Sequence, residues 1–302
     1  MISFFLRHRI ISTFHDLDIR GVRKIAHFLP RLLLPKPGRA AAIKTLYGFY
    51  LNIDPLNDDG IDESIYYTGT YEKGTLWVLK QILSEGNIFV DVGANIGLMS
   101  ILASSLVKKS GKVVAFEPNP VTMEILKENI ALNNLSNIEI SEYAIGSSDK
   151  TSRLYQRKDQ NRGCASLIET EFEADIYDIQ VIPLSSYFNQ HDTIDLIKID
   201  IEGFELEALI GAREFLLGNS PPKLILECSE MRKNTSHSGF GGLYEFLTGL
   251  NQYRLFKSKG GKGRVSRLIE IRTQSDMPQH DNIYCFTRKH LSEIPGNIFI
   301  NR

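Results

Sequence analysis

From residue 88 the chain runs Ile-Phe-Val-Asp-Val, apolar at all but one position. It then passes through Gly-Ala-Asn-Ile-Gly into Leu98, Met99, Ile101 and Leu102 at helical spacing. A short unbroken apolar run predicts a strand buried on both faces, and the change of period predicts strand, turn and helix in succession. The unit recurs at residues 112–117 (KVVAFE), where Pro118-Asn119-Pro120 opens a helix to residue 134 carrying Val121, Ile125, Leu126 and Ile130 on one face. Further strands are predicted at 137–144 (NIEISEYA), 194–200 (IDLIKID) and 223–228 (KLILEC), with a helix over 204–216 after Gly203. Residues 147–193 break the alternation and predict a hairpin-like insertion at the pocket rim. A helix near 243–250 and a closing antiparallel pair at 253–256 and 282–287 follow, joined by a basic loop with Lys257, Lys259, Lys262, Arg264 and Arg267. Strands alternating with helices predict an α/β fold on a parallel sheet.

Upstream, Leu46, Tyr47, Phe49, Leu51 and Ile53 predict a strand ending at Asp54-Pro55, after a linker marked by Pro35, Pro37 and Gly38. Tyr66, Tyr67, Gly69, Tyr71 and Glu72 precede a helix carrying Leu76, Leu79, Ile82 and Leu83. This aromatic stretch suits either an acceptor wall or a packed helix. Residues 1–39 are basic, with Arg7, Arg9, Arg20, Arg23, Lys24, Arg31, Lys36 and Arg39 against Asp16 and Asp18. Interleaved apolar residues permit peripheral contact with an anionic membrane, and packing on the main domain is the favoured alternative. The apolar run at 2–6 is too short for a span or signal, so a cytoplasmic location is expected.

Composition narrows this only modestly. A net charge of -1 over 302 residues gives no reason to expect a nucleic-acid partner. Cys164, Cys228 and Cys285 match neither zinc nor redox spacing and read as incidental thiols.

The chemistry is expected at the strand ends. A helix N-terminus offers unpaired amides, and Gly93 and Gly97 let the backbone approach a ligand closely. Asp91 and Glu117 close two successive buried strands, and an acid in the second position suits a ribose diol. A dinucleotide fingerprint would place three glycines against a pyrophosphate, whereas here an acid comes first, which disfavours a nicotinamide cofactor. Asp91 suits the ammonium of a methionine moiety instead, so the turn points to S-adenosylmethionine. The run resembles the acid-x-Gly-x-Gly-x-Gly signature of Rossmann-like methyltransferases, with Asn95 in place of the middle glycine.

DVGANIG, AFEPNP, NI with LNN, and IDLIKIDIEGFELEALIGA together resemble the FkbM-type methyltransferase family, over about residues 66–230. The resemblance implies a Rossmann-like fold, with a seven-stranded, mostly parallel sheet of order 3-2-1-4-5-7-6 flanked by helices and its last strand antiparallel. Residues 61–302 would form this domain, carrying the insertion at about 147–193. Residues 1–60 would be a basic helical segment and strand packed upon it. The resemblance also implies S-adenosylmethionine-dependent O-methylation of a sugar, glycolipid or polyketide-like hydroxyl. The cofactor-binding set then comprises Asp91, Gly93, Asn95, Gly97, Glu117, Asn119, Glu142 and Ala144. Many methyltransferases hold adenine with an acid just before the small residue after the third strand. Tyr143 stands there in this chain, leaving Glu142 or backbone amides for that role.

Lys198 and Asp200 lie two apart on one strand and so share a face. Asp200 is the expected catalytic carboxylate, Lys198 an acceptor-steadying group or, with a lowered pKa, a base, and Glu202 a further candidate. Glu205 is read as complementing a helix dipole. Asp200 and Glu227 end adjacent strands and could hold a divalent ion as in catechol O-methyltransferases, but no third ligand is evident and a metal-free mechanism is expected. His237 is an alternative base. A non-catalytic cofactor-binding scaffold in a glycan assembly complex is the competing reading.

Overall fold

The computed structural model describes residues 8, 9, 11, 13, 41–58, 60–158, 161–189, 192–229, 240–250 and 253–300. The linker at 35–38, nearly all of the proposed membrane-contacting stretch 1–39, and His237 lie outside the described residues. Of the N-terminal residues, Ile11 is fully buried in the main core, and His8 Nε2 lies 2.7 Å from the Tyr66 carbonyl.

The expected strand at 46–53 is the second half of an antiparallel hairpin, β1 (Ala41–Lys44) with β2 (Tyr50–Ile53). Gly48, at φ +96, makes the turn that splits it. Helices α1 (Ile61–Thr68) and α2 (Lys73–Ile82) lead into β3 (Ile88–Val92), α3 (Leu98–Val107), β4 (Lys112–Phe116), α4 (Pro120–Leu132) and β5 (Ile138–Ser141). The predicted third strand ends early, at Ser141. Ala144 and Ile145 form β6, which leaves the main sheet to pair with the insertion. The insertion is a long hairpin, β7 (Lys150–Arg157) with β8 (Ala174–Ile182), in a separate three-stranded sheet of order β6-β8-β7. After α5 (Leu184–Tyr187) come β9 (Leu196–Ile199), α6 (Glu205–Gly211), α7 (Arg213–Leu217), β10 (Lys223–Ser229) and α8 (Phe240–Gly249). The chain then runs through β11 (Tyr253–Ser258), β12 (Leu268–Ile271), β13 (His280–Thr287) and α9 (Arg288–Glu293).

The main sheet has the order β12-β11-β13-β10-β9-β3-β4-β5, with β13 antiparallel to both of its neighbours. Leaving out β12, this is the expected 3-2-1-4-5-7-6 arrangement. The correction is the eighth strand. β12 lies inside the segment read as a basic loop, and its Leu268 and Ile271 are buried while Ile271 pairs with Leu255. Four residues flanked by lysines and arginines carry too little periodicity to stand out in sequence.

The central strands are apolar throughout because both faces are covered. Phe89, Val113, Ala115, Leu196 and Ile225 face the core under α2 and α3. Val90, Val92, Val114, Ile197, Ile199 and Leu226 face the core under α6 and α8. This parity decides the site, since polar residues that replace apolar ones near the strand ends inherit the same face.

At the C-terminal end, the Thr287 N–H donates to His290 Nδ1 (3.1 Å), and the His290 N–H donates back to Thr287 Oγ1 (3.3 Å). Nδ1 must be unprotonated to accept. Burial, reinforced by the charges of Lys223 and Lys289, lowers the His290 pKa from 6.5 to about 4. Between those values the unfolded chain binds more protons than the folded one, so stability falls as pH drops through this window. We expect the melting temperature to decline across it, with a shallower decline in His290→Gln, measurable by calorimetry at a series of pH values.

Candidate active site

The turn after β3 is built on three residues in the left-handed region, Gly93 (φ +82), Asn95 (φ +51) and Gly97 (φ +92). Asn95 can stand where a glycine is expected because a short amide tolerates this conformation and bonds locally. Its Oδ1 accepts from the Ile96 N–H at 2.7 Å. The N–H groups of Gly93 and Ala94 both donate to the Phe116 carbonyl at 3.0 Å, holding the turn against the end of β4. Glu117 locks the other side. Its Oε2 accepts from the Asn95 N–H (2.8 Å) and its Oε1 from the Asn119 N–H (3.0 Å). Burial pushes its carboxyl up to about 7 against those hydrogen bonds. Each oxygen keeps a second lone pair, and Glu117 lines the cleft.

The insertion roofs this turn. Arg162 pairs with buried Asp58 and Asp62, and its N–H donates to Asp58 Oδ2 at 3.0 Å. The segment after it therefore lies over the cofactor turn, where a β-carbon on Gly163 would come 3.2 Å from Asn95 Nδ2. Ser166 Oγ donates to the Glu202 carbonyl at 3.2 Å, tying the roof to the far side as well.

The acid end of the cleft is built by strand parity. Asp91 and Lys198 are register partners on β3 and β9, and Lys198 is also opposite Ile225, two before Glu227 on β10. Lys198 Nζ reaches Asp200 Oδ2 (3.0 Å) and Asp91 Oδ1 (3.8 Å), and Ser100 Oγ donates to Asp91 Oδ2 (2.6 Å). Burial alone would lower the Lys198 pKa, but Asp200 and Asp91 outweigh it and hold the amine above its ordinary value. Lys198 is thus an ammonium that fixes Asp200, and the reading of it as a base is corrected.

Glu227 stands beside Asp200, with carboxylate oxygens of the two within 4.8 Å of each other. The Asp200 charge, and then burial, push the Glu227 pKa well up. Burial also opposes ionisation of Asp200, but Lys198 and Lys262 overcome it and hold that carboxyl low. Of the two, Glu227 is therefore the carboxyl that holds its proton more firmly. Glu202, a catalytic candidate from sequence and in the left-handed region at φ +54, is brought beside Asp200 and Glu227 as a third carboxylate, a grouping that was not evident in the sequence. Oxygens of Asp200, Glu202 and Glu227 lie within 4.8 Å of one another. Ammonium groups already sit on two of the three, Lys198 on Asp200 and Lys262 on Glu227, meeting from within the chain much of the charge that a cation would neutralise.

Of the residues expected at the site, Gly93, Asn95, Glu117, Ala144, Lys198, Asp200 and Glu202 line one cleft. Asp91 does not. It is 0% exposed behind the cleft wall, and its carboxylate is engaged by Ser100 and Lys198 rather than available to a ligand ammonium. Gly97 packs under Leu126, and Asn119 caps α4, its Oδ1 accepting from Val121 N–H (3.0 Å) and Thr122 N–H (3.3 Å). Glu142 is exposed, while Tyr143, Ala144 and Ile145 line the cleft beside it. Glu205 is a turn-locking residue whose Oε1 accepts from Gly203 N–H (3.0 Å) and Ile201 N–H (3.3 Å). Glu72 and Lys262 line the cleft without having been singled out, although Glu72 ends the aromatic stretch and Lys262 belongs to the basic loop.

The model of the methyltransferase FkbM domain matches residues 91–257, more than half of the chain. The chain belongs to the FkbM methyltransferase family. This FkbM protein is 29% identical over 163 residues to Methyltransferase sdnD of Sordaria araneosa, covering 44% of this chain and 62% of that one. It is 27% identical over 150 residues to Methyltransferase 1 of Beauveria bassiana (strain ARSEF 2860), covering 42% and 59%. The aligned part thus spans about three-fifths of the length of these curated relatives. Among solved structures, a precorrin-6y C5,15-methyltransferase from Geobacter metallireducens GS-15 aligns at a TM-score of 0.40 and 16% identity, over 72% of this chain and 92% of its own.

The cofactor of this FkbM family member is S-adenosylmethionine, and the cleft carries residues suited to it. Buried Glu117 lines the opening with one hydrogen bond accepted on each oxygen, and the Gly93–Asn95 turn lines it with glycine, alanine and asparagine. No described helix is long and apolar enough to cross a membrane.

Proposed function

We propose that the enzyme is an O-methyltransferase acting on a hydroxyl of a sugar, glycolipid or polyketide-like acceptor, with Asp200 receiving the hydroxyl proton. The observation that carries this reading is a cleft-lining carboxylate, Asp200, held by the Lys198 ammonium at 3.0 Å with the Glu227 carboxyl beside it. S-adenosylmethionine supplies an electrophilic methyl group. As the acceptor oxygen forms its bond to carbon, the carbon–sulfur bond breaks with its electron pair left on sulfur, and the O–H proton becomes strongly acidic. Even a weakly basic carboxylate can then take it, provided that it is already in place. Lys198 keeps Asp200 in place, and the insertion lies across the turn and is tied to the Glu202 carbonyl beside the acid cluster.

Glu117 at the end of β4 and the 93–97 turn would hold the ribose and methionine parts of the cofactor, with Ala144 and its neighbours against the adenine. The test pairs calorimetry of S-adenosylhomocysteine with methyl-labelled cofactor and extracts of the source cells' glycans and small metabolites. We expect saturable binding of S-adenosylhomocysteine, and label in an acceptor that resists alkali, as a methyl ether does. Label released by alkali would mark a carboxyl ester and overturn the hydroxyl assignment.

A further inference from the structure

The family match ends at residue 257, yet the acid end of the cleft is completed by a side chain beyond it. Lys262 enters from the loop between β11 and β12, and its Nζ bridges Glu72 Oε1 (2.8 Å) and Glu227 Oε1 (2.7 Å). We propose that Lys262 is a positioning residue of the methyl transfer, clamping Glu227 to Glu72 so that Glu227 is set against Asp200 on the acceptor side of the cleft. This inference rests on the reading of Asp200 as the proton acceptor.

The delivery of Lys262 is built into the backbone. Its carbonyl accepts from Gly74 N–H (2.8 Å) and Thr75 N–H (3.3 Å), two amides of the first turn of α2 that no side chain caps. Its own N–H donates to Asp281 Oδ1 at 2.7 Å. The loop is thus fixed to α2 on one side and to β13 on the other. A β-carbon on Gly74 would come within 2.8 Å of the Lys262 carbonyl, so glycine is what lets loop and helix meet backbone to backbone. Ser258 Oγ, 2.7 Å from Ser266 Oγ and 3.1 Å from the Gly261 carbonyl, closes the loop on itself.

Glu72 shows the same purpose from the other end. It sits before α2 at φ +45, a conformation costly for a side chain of its size, and it does not cap its own helix. Its carboxylate turns instead to Lys262 and to Asn282 Nδ2 (3.0 Å), which also reaches Thr75 Oγ1 (2.8 Å). A strained residue whose two oxygens are both engaged at the site is an anchor for the cation between them.

Electrostatics make the clamp consequential. Glu227 has around it Asp200 just past β9, Glu202 from the following turn, Tyr71 ahead of α2, and Lys262; behind these, Lys198 of β9 and Asp91 of β3 face Asp200, and Glu72 and Asp281 of β13 face Lys262. Removing Lys262 leaves Lys198 facing the carboxylates alone, and Glu227 must then swing away from Asp200 or hold its proton more firmly.

The test uses the full chain with Lys262→Met, Lys262→Arg and Glu72→Gln. The carboxylic C=O band of Glu227, identified by its loss in Glu227→Gln, is followed by infrared difference spectroscopy from neutral to alkaline pH. Lys262→Met is expected to move the midpoint of that titration upward by about one pH unit or more, and Lys262→Arg to return it toward wild type. Glu72→Gln removes a negative charge and frees Lys262 for Glu227, so its midpoint moves the opposite way. With an acceptor in hand, Lys262→Met should lower kcat on the order of 10–100-fold, the loss expected of a displaced group, with S-adenosylhomocysteine affinity kept. An unmoved midpoint in both Lys262→Met and Glu72→Gln, whatever the change in melting temperature, would reduce Lys262 to a structural pin and overturn the proposal. That result is independent of whether Asp200 takes the proton, because the spectroscopic readout needs no methyl transfer. If Lys262→Met does not fold, the sign of the Glu72→Gln shift decides alone.

Discussion

Replacing Asp200 with Asn is expected to lower methyl transfer on the order of 10²–10⁴-fold, the range for loss of a positioned proton acceptor, with affinity for S-adenosylhomocysteine changed by less than about threefold. Asparagine keeps the shape of the side chain, and its amide oxygen can still accept from the Lys198 ammonium that now holds Oδ2 at 3.0 Å. It cannot take a proton. The substitution also relieves Glu227, because the charge of Asp200 is the largest cause of its raised pKa. Glu227 then ionises at lower pH at the same end of the cleft and carries the residual transfer, so the pH profile of Asp200→Asn should climb more steeply toward alkaline pH than that of the wild type. Adding Glu227→Gln should remove this residue of activity, a non-additive result expected of groups that act as a pair. Calorimetry for the cofactor product and labelled-methyl assays at several pH values measure both effects. Near wild-type transfer in Asp200→Asn with cofactor binding intact would take Asp200 out of the mechanism.

Much of this site follows from strand parity, which is why part of it could be read before any coordinates. Phe89 and Asp91, Leu196 and Lys198, and Ile225 and Glu227 are pairs two apart on β3, β9 and β10, and in each the first residue lies in the core under α2 and α3. The second must point the same way, one step nearer the cleft. Depth along the strand was not legible. Asp91 falls short of the strand end and is sealed behind Lys198, whereas Asp200, just past β9, reaches the opening. Glu142 illustrates the opposite limit. A continuous third strand through residue 144 would have kept it near the cofactor, but β5 stops at Ser141 and the chain turns into the second sheet, leaving Glu142 exposed. Glu72 and Lys262 could not be paired from sequence, since they meet only after the whole sheet has closed between them. Glu202 owes its place to a left-handed backbone that no propensity of glutamate foretells. Asn95 was legible as a departure from a glycine pattern, and its φ of +51 supplies the reason that the departure is tolerated.

Gly93→Ala should be the most damaging single-atom change in the cofactor turn, costing roughly 3–5 kcal/mol and abolishing saturable binding of S-adenosylhomocysteine. Two costs combine. Alanine at φ +82 pays for the left-handed backbone, about 1–2 kcal/mol. In addition, its β-carbon would overlap the Asp200 carbonyl oxygen and lie 3.0 Å from the carbonyl carbon, so backbone must move against backbone. That contact is braced on both sides: the Gly93 N–H donates to the Phe116 carbonyl and the Asp200 N–H to the Val92 carbonyl, each at 3.0 Å. Relief therefore means parting the end of β3 from β4 or from β9, which displaces the 93–97 turn and Asp200 together. Gly97→Ala is the matched control. It pays a similar conformational cost at φ +92, but its β-carbon would meet side chains rather than backbone, the Leu126 Cδ1 at 2.6 Å, a free end that can rotate away, and Ile101 at an ordinary 3.5 Å. We expect that variant to lose about 1–2 kcal/mol and to bind the cofactor product still. Thermal denaturation and calorimetry on the two variants separate strain in the turn from its packing against Asp200. Equal effects in both would refute the close contact as the reason that glycine stands at position 93.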